Sequence, residues 1–391
     1  VRRPTGTTWR RIAVIAVSAV CVGYAPVAMT ELWPYARPGA PAFGEWILGR
    51  VVSPRYVADA LATRIEPYRH SLVPLIVHSV LGGLLMLLGP AQVLTAVRRR
   101  TRLHRALGVV FAVTVYTSMA GAALYLARTA PADAFSGAAF WIVLATILVG
   151  TVLSVTFGVL AAVAGHPDLH QRWMLLCYGF LLTAPLLRFE WGGLPMIMPG
   201  LSMAEINRAA TMHLGSVVAF GALIASRSLD RRRKIAGMSR SWAPLPVLAV
   251  AHLAGAAALA WIVRSSLDFG APGRRLLLAY LLPYAVTYAV MASCALRTGR
   301  EGSLWAREEW RLHWTALCLA PVLSAAAAPL FERTLGLDRL TAVSAGAAIG
   351  CGALATTATL VVSLRVMYAR EVLKRAAPAR VTATPLTSPV S

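Results

Sequence analysis

The chain has 391 residues, 58% hydrophobic and only 14% charged, with a mean hydropathy of +0.64. A soluble domain carries about 25% charged residues, so this composition excludes an ordinary soluble fold and describes a chain that faces lipid. The remaining charge is 38 Lys+Arg against 16 Asp+Glu, a formal +22. The basic residues lie in short clusters between apolar runs, with no contiguous basic domain, which argues against nucleic acid as a partner. Only Lys234 and Lys374 are lysines, and this arginine preference, with Ala- and Gly-rich runs, points to a GC-rich bacterial coding sequence.

A span needs about 20 predominantly apolar residues. Ten runs come near that: 12–30, 72–97, 106–127, 138–164, 173–187, 209–226, 242–263, 276–296, 312–331 and 340–364. The predicted fold class is all-α, a polytopic transmembrane helical bundle of ten spans in the lipid bilayer. The first run follows basic residues as a signal peptide would, but no small-residue cleavage site follows it, so it reads as an uncleaved first span. The fifth run is short and is expected to draw residues from both flanks.

Between the first two runs, residues 31–71 hold Trp33, Tyr35, Trp46, Tyr56 and Tyr68 and five prolines. Such aromatics favour the membrane–water interface. Helical stretches at 43–52 and 56–65 would lie flat over the bundle as a lid; an interfacial loop without a ligand role is the plainer alternative. The chain then divides into a first span and outer interfacial loop (1–71), a five-helix core (72–226), a second four-helix bundle (227–375) and a disordered tail (376–391), the last from its Ala, Pro, Thr and Ser content.

Cytoplasmic loops hold the Lys/Arg excess. With the N-terminus inside, segments 1–11, 98–105, 165–172, 226–240, 297–311 and the tail after Leu364 carry 25 of the 38 basic residues. The predicted topology is N-in and C-in, in the plasma membrane. A shift of about 137 residues lays spans three to six over seven to ten and matches Trp173 to Trp310. On that alignment Ser241, Arg307 and Gly350 stand where the first copy has His104, His170 and His213. The five cysteines all fall in apolar runs without a CxxC pair and read as small buried hydrophobes.

Ionisable groups inside a membrane are costly and are functional candidates. His78, in span two, and His213, in span six, sit at comparable depths near the outer side. His104 and His170 open spans three and five at the inner face. The result is two layers, each with histidines from two helices, and at 1.5 Å per residue the layers lie roughly 20–28 Å apart. Two histidines from separate helices are what a b-type haem needs for axial ligation. Arg102, Arg105 and Arg172 near one layer, and Arg188 and Arg208 near the other, are candidates to pair with its propionates. Ordinary interfacial and helix-bonded histidines are the alternative reading.

Residues 75–190 resemble a family of predicted bacterial membrane proteins of unknown function, the domain-of-unknown-function 2306 family. The matching pieces are His78, Gly89-Pro90-Ala91-Gln92, His104-Arg105 with Gly108, then His170, Trp173, Met174 and Arg188. Members usually carry an Arg two residues after the Trp-Met pair, where this chain has Leu176. The resemblance implies a membrane fold and no particular activity. In organisation the layered histidines also look like two-haem membrane cytochromes b.

Three functions follow as expectations. The first is a two-haem b-type electron-transfer protein, a haem-dependent membrane oxidoreductase whose donor (quinol, ascorbate-like or protein) docks under the 31–71 loop. The second is a small-molecule or proton-coupled transporter, using Gly89-Pro90, Pro185, Pro195, Pro199 and Pro283 to break helices around a central site and His252 as proton relay; no carboxylate falls near mid-membrane to support it. The third is a non-catalytic membrane partner. No P-loop, nucleophile elbow or HExxH motif is present.

Overall fold

The structure, a computed structural model, describes residues 6–229, 241–302 and 304–376. The tail expected beyond Ala376 and most of the basic 226–240 segment lie outside the described residues. Fourteen α-helices, two short 3-10 helices and no strand occur among the described residues. Ten helices are long and apolar enough to cross a membrane: α1 (Gly6–Thr30), α5 (Leu72–Val93), α7 (Thr101–Arg128), α8 (Ala138–Val163), α9 (Pro167–Gly193), α10 (Met203–Leu229), α11 (Leu245–Leu267), α12 (Gly270–Arg300), α13 (Leu304–Leu335) and α14 (Arg339–Ala376). Four short ones complete the set: α2 (Trp33–Ala36), α3 (Phe43–Val51), α4 (Pro54–Arg69) and α6 (Thr95–Arg99).

Without water in the bilayer, each backbone N–H and C=O must be satisfied within its own segment, which leaves the helix as the default element. The surface agrees with that solvent: Val163 is 84% exposed, Leu253 73% and Leu282 69%. The short fifth run becomes the whole of α9, drawing in charged Arg172, Arg188 and Glu190, each of which finds a protein partner. Four of the five cysteines are buried, and all five are free thiols.

Residues 31–71 do fold onto the bundle. α3 packs on α1 and α9, α4 packs on α10, and α2 lies between α4 and α5. The lid helices form where the sequence places them, with the second starting at Pro54 and running on to Arg69. Ser53 caps α4 by accepting from the Tyr56 N–H at 3.1 Å, and Pro54 takes the first-turn position where no N–H is needed.

The long helices fall into two groups. α5 packs between α1 and α7, and α8, α9 and α10 follow in sequence; α11, α12 and α14 surround α13. The groups meet where α10 runs along α14, with α8 also against α14 and α12 against α10. The offset of 137 carries Pro167, where α9 begins, to Leu304, where α13 begins, and Val163, where α8 ends, to Arg300, where α12 ends. The packing exchanges in the same sense, α8 with α14 and α12 with α10.

Between helices in lipid, attraction comes from close packing rather than from expulsion of water, so small residues mark the seams. Gly346 and Gly350 of α14 face the backbone of Ser324 and Ala320 of α13 with no room for a Cβ, and Gly215 of α10 meets the backbone of Ala348 in the same way. A core shared by both groups, with Leu176, Phe220, Tyr280, Leu317 and Cys351 fully buried, fills the junction.

Candidate functional site

Helix ends alternate, so the ends of α1, α7 and α9 and the starts of α5, α8 and α10 share the lid side, and the lid helices pack on α1, α5, α9 and α10. Trp191, 3% exposed near the end of α9, is the hub of this lid end. Its indole N–H donates to Asn207 Oδ1 at 3.0 Å, and the Asn207 amide donates to Ser136 Oγ at 2.6 Å. From the lid, the Tyr56 hydroxyl donates to the Trp191 carbonyl at 3.1 Å. The guanidiniums of Arg64 and Arg188 stack on the Trp191 ring at 4.7 and 4.0 Å, and Arg64 also lies over Phe135 at 4.3 Å. Such stacking satisfies the faces of a guanidinium and leaves its edge to find acceptors.

The two edges are served unequally. Arg188 pairs directly with Glu31. Arg64, only 3% exposed, lies 3.9 Å from the same carboxylate and donates to the Met203 sulfur at 2.7 Å, a poor acceptor. Its Nε is buried without a hydrogen-bond partner. Nearby on α3, Glu45 has one carboxylate oxygen buried without a partner. Burial pushes its carboxyl up to about 7; Arg64 opposes that rise and Glu31 adds to it.

Two cavities open under this cluster. The first, about 300 Å³, has Tyr24, Glu31, Glu45, Arg64 and Arg188 among its lining, with Val27, Leu48 and Val57 as apolar wall. The second, about 240 Å³, passes His78, Ser118, Tyr125 and Phe180 and reaches Ala348 and Gly352 of α14. They share Tyr24, Glu31 and Arg188.

The four histidines divide differently from their depth alone. His78 lines the second cavity, its Nδ1 3.0 Å from both the hydroxyl and the carbonyl oxygen of Ser118. His213 is not among the residues lining that cavity; α10 presents Thr211, Leu214, Gly215 and Val218 there. The His213 ring turns to Glu190 at 2.6 Å, and its side chain is 43% exposed. At the other end, His170 Nδ1 lies 2.8 Å from the Gly158 carbonyl, while His104 Nδ1 is buried without a partner. The structure does not bring His78 and His213 into one cavity.

Of the arginines proposed for propionates, Arg172 is paired with Glu309, Arg188 with Glu31, and Arg208 donates to the Ser136 carbonyl at 3.0 Å. Arg102 and Arg105 are exposed at the start of α7. Three imidazoles have Nδ1 held by an oxygen, which leaves Nε2 as the atom available to a metal. Among the described residues no group of three His, Cys, Asp or Glu has metal-site spacing.

Sequence reasoning missed a second charged cluster, at the end away from the lid. Glu309 of α13, fully buried, pairs with Arg172 of α9 and, at 2.6 Å, with Arg227 of α10. Neighbouring Glu308 accepts from Ser241 and, at 3.1 Å, from Arg311. Arg365 of α14, 2% exposed, stacks over Trp305 at 4.2 Å. The available signal was the Arg307-Glu308-Glu309 run opening an apolar helix, which reads equally well as an exposed loop end. The lid-end groups Glu31, Glu45 and Arg64 were passed over for the same reason, as polar residues of a loop.

The family motifs have structural work on this scaffold. A Cβ at Gly89 would overlap the Tyr178 ring, so the glycine leaves room for this side chain of α9. Gln92 reaches the His104 carbonyl at 3.5 Å, tying that stretch to the His-Arg helix start. Trp173 is buried against Phe157 with ring centroids 4.9 Å apart. No curated protein and no solved structure matches the chain. Residues 75–229, from the first turn of α5 to the end of α10, match the model of a family described as predicted membrane protein (DUF2306).

Proposed function

We propose that the protein is a transporter that receives a small amphipathic molecule beneath its lid. The observation carrying this reading is the pair of adjoining cavities under α3 and α4, which share Tyr24, Glu31 and Arg188 and continue to α14 in the second helix group. Volumes of about 300 and 240 Å³ stand at the small end of ligand sites. Charged groups at the mouth and apolar walls below suit an amphiphile better than a sugar or a bare ion. The seam of α10 on α14 offers a surface on which two helix groups can rock, as repeat-built transporters do. On this reading the lid faces outward from the plasma membrane and both termini face the cytoplasm, in keeping with the distribution of basic residues.

The test uses the full chain in lipid nanodiscs and a fluorescent single-chain amphiphile. Gly23 and Gly82 each border open space on the cavity walls. Gly23→Phe or Gly82→Phe should fill that space and remove most of the binding. Undiminished binding by both variants rejects the cavity as the site, and counterflow in proteoliposomes separates a transporter from a static binder.

A second reading, a two-haem b-type oxidoreductase taking electrons from a quinol, ascorbate-like or protein donor, is favoured by the held Nδ1 atoms of His78, His170 and His213. Haem would supply one-electron chemistry, with His78, His104, His170 and His213 as ligands and Arg105 free to meet a propionate. The outer pair requires His213 to leave Glu190. A reduced-minus-oxidised spectrum lacking an α-band in protein purified from haem-replete cells removes this reading.

A further inference from the structure

Arg64 presents an unsolved electrostatic problem. A buried guanidinium without good acceptors is strongly unfavourable, because it has lost water and gained little in return. Arg64 is 3% exposed and borders the first cavity, its Nε has no partner, and its one hydrogen bond goes to a thioether. The nearest carboxylate, Glu31, sits 3.9 Å away and is already engaged by Arg188. Two guanidiniums therefore share one direct counter-charge at the mouth of an apolar cavity. Glu45, the other acid of this wall, has an orphaned buried oxygen of its own. In its neutral form it leaves Arg64 unbalanced and can donate a hydrogen bond to an acceptor in the cavity.

We infer that the molecule held beneath the lid is a single-chain amphiphile with an anionic head, a carboxylate or a phosphate, and that Arg64 binds the head while the chain enters the apolar cavity below. This rests on the lid-cavity reading above and adds the chemical class of the ligand. Arg64 lies over both Phe135 and Trp191, whose rings are inclined at 66° to each other, so two aromatic surfaces hold its fork in place. A planar fork held in that way matches the two oxygens of a carboxylate or phosphate, which a lysine ammonium does not. The shared Arg188 and Tyr24 lead from the head site into the second cavity, whose walls are largely apolar.

The experiment measures equilibrium binding of four radiolabelled probes with the same sixteen-carbon chain to the full protein in phosphatidylcholine nanodiscs at about pH 6. The probes are hexadecanoate, hexadecyl phosphate, hexadecanol and hexadecyltrimethylammonium. An anionic probe should bind at least about tenfold more tightly than the alcohol, the gain expected when a buried charge acquires a charge-assisted partner. Which anion binds more tightly separates a fatty acid from a phosphate-headed lipid. Arg64→Gln should abolish the preference for the anionic heads over hexadecanol, and Arg64→Lys should recover only part of it. If the variant does not fold, the four-probe series on the unaltered protein decides. Equal affinity for the alcohol, or preference for the cationic probe, overturns the anionic head while the cavity reading stands. Anion preference that survives Arg64→Gln overturns the role of Arg64. Binding of none of the four overturns both.

Discussion

Replacing Glu309 with alanine removes a carboxylate that pairs with both Arg172 and Arg227. The side chains of the three are 1%, 7% and 11% exposed, so neither cation recovers much water when the acid is lost. Breaking a buried pair by deleting one partner costs about 3–5 kcal/mol, far more than the net worth of the intact pair. The comparison is internal. Arg375 and Glu371 pair at 2.9 Å with side chains 80% and 52% exposed, and such a surface pair is worth about 0–1 kcal/mol. Reversible unfolding in mixed micelles, followed by tryptophan fluorescence, should therefore lose about 3–5 kcal/mol for Glu309→Ala and at most about 1 kcal/mol for Glu371→Ala. Glu309→Gln should fall between them, since the amide keeps an acceptor without the charge. If Glu309→Ala costs no more than Glu371→Ala, the far-end cluster is not a buried ion network and the reasoning fails.

Gly350→Val should wedge α13 from α14, where the glycine faces the Ala320 backbone, at a cost of about 1–3 kcal/mol; stability equal to the parent in the same unfolding assay would contradict the close seam. Burial raises the Glu45 carboxyl from 4.5 to about 7, so the folded lid holds a proton where the unfolded chain releases it. Its stabilisation is full below about pH 4.5 and is lost as pH rises through about 7, amounting to about 1 kcal/mol once partial exposure is allowed for. Hydrogen exchange in α3 and α4 should accelerate across that window, with Arg64 and Glu31 as the charged groups acting on Glu45, and Glu45→Gln should flatten the response. Reporter fusions after Arg240 and after Arg370 should signal cytoplasm and fusions within 40–60 the outside; reversed signals at two sites reject the N-in, C-in topology.

The ten long helices and both lid helices were legible in the sequence because hydropathy and turn chemistry are local properties. Even the under-length fifth span was recoverable, since lipid thickness sets a minimum and α9 had to extend over Arg172 and Glu190 to meet it. The site was less accessible. Depth along a helix can be counted, and it placed His78 and His213 at one level. Rotation about the helix cannot be counted so simply, and it sends His78 to Ser118 and His213 to Glu190. The acidic partners were missed for a related reason. Glu31 meets Arg188 across 157 residues and Arg64 meets Met203 across 139, distances at which no local pattern distinguishes a buried acid from one in a loop. The offset of 137 residues, faint in identity, aligns the break between α8 and α9 with that between α12 and α13, while α10 with 27 residues stands against α14 with 38, because bilayer thickness sets only a minimum span length.

α9 has a mechanical consequence. It carries Trp191, on which Arg64 of the lid rests, and Arg172, which grips Glu309 at the opposite end. At 1.5 Å per residue its 27 residues form a rod about 40 Å long. A rod anchored at both ends behaves as a lever: a tilt that lifts the lid end must swing the far end against its ion pairs. The rod has a joint at Pro185, whose missing N–H weakens the helix about one turn before Arg188 and about two before Trp191. Bending there lets the lid end move by itself, whereas stiffness there ties the two ends into a single motion.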